Sequence, residues 1–179
     1  MAHSFPGLMR SLALWALLLG GSAESWAQIR WIGRSLHPDG ARDSEGNACA
    51  PGVQAGTYRI PGSVSIPMPA IWHGNAQSVE VFNPRPLGWW GGEVFGAHGN
   101  RQVGYVYSDV AYHAAMWSGS SESFVDLQPA GGLYGSSEAK FVCSNQVVGH
   151  VTKGANNHAA LWDLSTGKFT DLHPAGATV

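Results

Sequence analysis

Charge is scarce in this chain. Ten Lys and Arg stand against twelve Asp and Glu in 179 residues, for a net charge of −2. A balance so thin in cations makes no polybasic surface, which argues against nucleic acid as a partner. Cysteine is scarcer still, at two residues. Two thiols exclude a disulfide-dense scaffold and a four-cysteine zinc site. Long apolar stretches are also lacking. The longest runs for nine residues, from Leu12 to Gly20, where a spanning helix needs about 20. No window after it carries a 3.6-residue apolar period, so helices are not expected. The G-x-S-x-G, G-x-x-x-x-G-K-[ST], G-x-G-x-x-G and H-E-x-x-H patterns are all missing.

Glycine and tryptophan are abundant instead, at 24 and eight residues. In a charge-poor chain they point to short strands joined by tight turns. The N-terminus reads as an export signal over residues 1–27. Arg10 supplies the positive region, Leu12–Gly20 the apolar core, and Ser25-Trp26-Ala27 a small-residue cleavage site before Gln28. The expected location is therefore secreted or periplasmic, with no membrane insertion after cleavage.

A repeat organises the rest. His113-Ala-Ala-Met-Trp117 recurs as His158-Ala-Ala-Leu-Trp162, and the segment FVDLQPAG from Phe124 recurs as FTDLHPAG from Phe169. Both shifts are 45 residues, and 102–134 matches 147–179 at 14 of 33 positions without a gap. The same shift places Trp117 on Trp72. Further back it grows by three, matching Ser137-Glu138 and Gly149 to Ser44-Glu45 and Gly56, which places an insertion in the Pro-rich stretch 59–69. Leu36-His37-Pro38 resembles Leu172-His173-Pro174. The expected organisation is a leading strand and turn over 28–43, then three units at about 44–91, 92–136 and 137–179. In the last unit, strands are predicted at Ala139–Cys143, Val147–Val151, His158–Trp162 and Phe169–Leu172.

Four strands in about 45 residues is the size of a β-propeller blade. The fold class predicted is all-β, with four-stranded antiparallel blades in tandem. The segments QVVG at Gln146, HAALW at His158 and FTDLHPAG at Phe169 resemble the HAF extracellular repeat, named for a His-Ala-Phe run that is His-Ala-Ala here. The resemblance implies a secreted bacterial protein with a propeller-like fold and no established activity, so it assigns no catalytic residue. Three units fall short of the usual four to eight blades. Three readings stay open: part of a longer repeat protein, two copies of the chain closing a ring, or an open array.

Site candidates divide into two groups. Trp72, Trp117 and Trp162 occupy one repeat position and are expected to pack between sheets. His113 and His158 recur likewise and are expected to make structural hydrogen bonds, since nothing supplies a third metal ligand. Asp126 and Asp171 are expected to accept from turn backbone. Cys49 and Cys143 are expected not to pair, being one residue out of register. The second group is functional. Trp89-Trp90, flanked by Pro86-Leu87-Gly88 and Gly91-Gly92, suits stacking on sugar or anchoring a partner. His73 and His98 head two His-Gly-Asn turns and are candidate ligand contacts. The leading expectation is a secreted binding or structural protein, with a glycan or an extracellular protein as partner and neither cofactor nor metal. The alternative is a polysaccharide hydrolase or lyase using His73, His98 and Glu93.

Overall fold

The computed structural model describes residues 30–62 and 66–176. The export signal expected over residues 1–27 lies outside them. Among the described residues no helix is long and apolar enough to cross a membrane. The fold is all-β: the described residues form three antiparallel four-stranded sheets in sequence, with three short 3-10 helices in the loops. The first sheet holds β1 (Asp43–Ala50), β2 (Val53–Arg59), β3 (Pro67–Trp72) and β4 (Glu80–Val81). The second holds β5 (Gly91–His98), β6 (Arg101–Tyr107), β7 (Tyr112–Trp117) and β8 (Val125–Asp126). The third holds β9 (Ser137–Cys143), β10 (Gln146–Lys153), β11 (Asn156–Asp163) and β12 (Lys168–Asp171). In each sheet, strands adjacent in sequence are hydrogen-bonded neighbours, the cheapest connectivity in loop entropy.

The four strands predicted in the last unit are all present; the first three are two or three residues longer, and the fourth is shifted by one residue. The leading strand expected near Arg30–Leu36 is not formed; residues 30–42 carry only a turn at Asp39–Gly40. The segment is held by side chains instead of a ladder. Arg34 donates to the Gly74 carbonyl at 3.1 Å, His37 pairs with the Ser44 hydroxyl at 2.9 Å, and Pro38 offers no N–H.

One backbone device recurs in all three sheets. The first strand bulges opposite the second, at Gly46/Ala48, Val94/Gly96 and Ala139/Phe141. Beside each bulge sits a glycine that admits no side chain. A Cβ at Gly56, Gly104 or Gly149 would lie 1.9, 1.8 or 2.0 Å from the carbonyl oxygen of Glu45, Glu93 or Glu138 respectively. These are the glycine–glutamate pairs that the sequence shift aligns. The three-residue insertion also has its place: seven residues join β2 to β3, where four join β6 to β7.

The sheets stack face to face. β5 lies against β1, β2 and β3, and β9 lies against β5, β6 and β7. Between the first two sheets the core is Ala55, Ile71 and Phe82 against Val94, Val106, Ala115 and Trp117. Between the second and third it is Val103 and Ala114 against Ala139, Val142, Val147, Val151 and Trp162. Small residues permit this closeness. A Cβ on Gly96 would stand 2.9 Å from the Lys140 carbonyl oxygen, across the junction. Polar groups cross as well: Asn47 donates to the Val94 carbonyl at 2.8 Å, and the Ala114 N–H donates to the Ser137 hydroxyl at 2.9 Å.

Candidate functional site

The repeated residues build the junctions. Trp72 and Trp117 end the third strand of their sheets, Trp162 is the last residue but one of its own, and all three are buried. The latter two face the preceding sheet: the Trp117 ring lies 5.7 Å from that of Phe82, and the Trp162 indole donates to the Leu127 carbonyl at 2.7 Å. His113 and Asp126 pair at 2.8 Å, as do His158 and Asp171. Each aspartate also accepts from a turn N–H, of Gln128 at 2.8 Å and of His173 at 2.9 Å. Sequence reading placed these histidines and aspartates separately. Their pairing is a tertiary fact, although one signal was available: the first sheet replaces both partners together, with Met68 and Val81. A residue of the inter-sheet link covers each pair. The Trp89 ring packs at a tilt against His113, 4.6 Å between centroids, and the Tyr134 hydroxyl donates to Asp171 at 3.3 Å. The His158 hydrogen bond, followed by the His173 N–H, holds the Asp171 carboxyl below the usual carboxylate range. Among the described residues no cluster of three His, Cys, Asp or Glu could hold a metal.

His73 and His98 sit in separate turns. His73 donates to the Gly52 carbonyl at 3.3 Å and lies 3.4 Å from Glu80. His98 ends β5 at the turn through Gly99, whose φ is +58°. Glu93 is on the same strand as His98, five residues away, about 16 Å at strand rise. That spacing keeps the two from acting on one bond. Cys49 and Cys143 are free and exposed.

Trp89 and Trp90 flank a shallow cleft of about 360 Å³ with Ile66, Arg85 and Gly88. Trp89 is half-buried against the first junction, whereas Trp90 is 53% exposed. The 3-10 turn Arg85–Leu87 and the left-handed Gly88 (φ +89°) turn the chain so that both indoles follow directly.

A tyrosine run that sequence reading missed adjoins them. The Trp90 N–H donates to the Tyr107 carbonyl at 2.8 Å. Tyr107 and Tyr112 stack at 5.8 Å, Tyr105 and Tyr112 lie 5.3 Å apart, and Phe95 and Tyr105 lie 5.5 Å apart. The signal was the alternation Tyr105-Val106-Tyr107, which puts two phenols on one face, with Tyr112 opposite Tyr107 in the ladder. Beneath it, Glu93 meets Arg59 from the first sheet at 3.4 Å. Burial raises the Glu93 carboxyl above its ordinary range, partly offset by Arg59. Burial and the nearby Glu93 push the Tyr105 phenol strongly upward, and burial with Tyr112 raises Tyr107. Both tyrosines are therefore neutral hydrogen-bonding rings at physiological pH. The arrangement offers flat π-faces edged by hydroxyls, a carboxyl and guanidinium groups, the chemistry that lines sugar-binding surfaces.

No family model matches the chain, and no curated protein or solved structure shows significant similarity to it.

Proposed function

We propose that this chain is a secreted HAF-type repeat protein that binds glycan, its three sheets arranged like consecutive blades of a propeller. Three features support the blade reading: the 45-residue period, first strands lying side by side as β1–β5 and β5–β9, and each sheet laid on the face of the one before. The observation that carries the binding reading is the Trp89–Trp90 cleft, with the Tyr107–Tyr112 stack on the strand whose Tyr107 carbonyl accepts from the Trp90 backbone N–H. An indole exposed in a loop beside stacked phenols fits the apolar face of a pyranose, while the hydroxyls and Arg85 reach its polar edge. Glycan-array binding and a tryptophan fluorescence titration test this. Trp90→Ala, which removes an exposed ring, is expected to abolish the signal and leave the fold intact. Binding unchanged in Trp90→Ala and in Trp90→Ala/Tyr107→Ala would sink the reading.

One observation favours a polysaccharide hydrolase or lyase as the second reading. Glu93 is partly buried with its carboxyl raised, as a proton donor needs. Against it, Arg59 already occupies that carboxylate and His98 is out of reach. Bond cleavage in a polysaccharide activity screen, lost in Glu93→Gln, would favour the enzyme over the binding module.

A further inference from the structure

The same three repeat positions have opposite fates in successive sheets. In the first sheet Ala48, Ala55 and Phe82 lie under the second sheet. In the second, Gly96, Val103 and Leu127 lie under the third. In the third they are Phe141, Val148 and Leu172, which are 67%, 39% and 48% exposed. Phe141 and Val148 are direct ladder partners and share a face with Cys143 and Gln146. An exposed phenylalanine, valine and leucine on the face that elsewhere receives the next sheet form a docking surface without its sheet.

The other end of the molecule carries the matching half. Cys49, Gln54 and Trp72 are consecutive ladder partners and so share one face, the side of the first sheet turned away from the second. Trp72 is the equivalent of Trp162, whose indole donates to the Leu127 carbonyl of the preceding sheet. The Trp72 indole N–H is buried and has no acceptor among the described residues. It lines a cavity of about 340 Å³ together with Arg34, Ser35, Leu36 and His37. The segment over it, Leu36-His37-Pro38, has the same residues as Leu172-His173-Pro174. It occupies the place of a preceding sheet's last strand without supplying the hydrogen bond.

We propose that a second copy of this chain docks head to tail here. The Phe141–Val148–Leu172 face of one copy seats on the Trp72 face of the next, and Leu172-His173-Pro174 takes the position held by Leu36-His37-Pro38. The Leu172 carbonyl then accepts from Trp72, repeating the Leu127–Trp162 bond already present inside the chain. Two copies joined at both ends make six sheets, within the range over which such rings close. The contact also brings together Cys143 on one face and Cys49 on the other, residues that within a single chain lie on opposite outer faces with a whole sheet between them.

Light scattering on the purified protein, combined with a short thiol-to-thiol crosslinker on exchanged isotope-labelled and unlabelled copies, tests the proposal. A two-copy mass and mixed-isotope Cys49–Cys143 crosslinks are expected. Phe141→Asp and Val148→Glu, both at exposed positions, are each expected to give a monomer with unchanged near-ultraviolet circular dichroism, so that one can stand in if the other misfolds. A monomeric unmodified protein, crosslinks confined to same-isotope pairs, or a folded variant of either kind that keeps the two-copy mass would overturn it.

Discussion

The indole of Trp162 donates to the carbonyl of Leu127 at 2.7 Å, tying the third sheet to the residue that follows the last strand of the second. Trp72, at the same repeat position, is equally buried but has no acceptor among the described residues. Substituting phenylalanine removes a hydrogen bond in one case and a buried, unsatisfied donor in the other. Trp162→Phe is therefore expected to cost about 1 kcal/mol more than Trp72→Phe. Urea unfolding of dilute protein measures the difference, and equal losses would contradict the assignment.

Gly104 faces the Glu93 carbonyl so closely that an added Cβ would stand 1.8 Å from the oxygen. The obstacle is backbone, which cannot swing aside as a side chain would. Gly104→Ala is expected to destabilise by about 3 kcal/mol, as overpacked cores do. Gly46, where an added Cβ would have nothing within 4 Å, is the internal control. Gly46→Ala is expected to stay within about 0.5 kcal/mol of the parent. Thermal unfolding of both variants checks the contrast.

His158 and Asp171 are exchanged as a unit for Met68 and Val81 in the first sheet. A lone change leaves one polar group facing an apolar neighbour, while the double change restores an apolar pair. His158→Met/Asp171→Val is expected to lose less stability than the two single variants summed, by about 1 kcal/mol. A double-mutant cycle by denaturant unfolding reads the coupling.

The acid limb of stability follows from Asp171. Its carboxyl is depressed in the folded chain, chiefly by the His158 hydrogen bond. A depressed carboxyl contributes stability in full above its unfolded value, near pH 4. That contribution is lost as pH falls through the lower folded value. Asp171→Asn is therefore expected to flatten the fall in melting temperature below about pH 4 while lowering it at neutral pH. An unchanged acid slope would remove Asp171 from the linkage.

The repeat and its four-stranded unit were legible because glycine and tryptophan record geometry directly. Gly56, Gly104 and Gly149 recur where a backbone carbonyl leaves no room for a Cβ, and Trp72, Trp117 and Trp162 recur where a sheet must be covered. The insertion was legible too, since a change of register can only be absorbed in a loop. The leading strand was misread because Leu36-His37-Pro38 carries strand-end residues with no ladder to join; Arg34 and His37 hold it through side chains.

The sequence by itself determined the period, the strands within it and the positions that must stay small or aromatic, because those depend on local backbone geometry. Only the tertiary structure decided which repeated residues meet. The His–Asp pairs join positions 13 residues apart, the Glu93–Arg59 contact crosses between sheets, and the Tyr107–Tyr112 stack depends on ladder register. It also decided which faces are covered. Phe141 and Gly96 hold one place in the period, but burial belongs to the neighbouring sheet, and periodicity along a chain carries no information about what lies across a face.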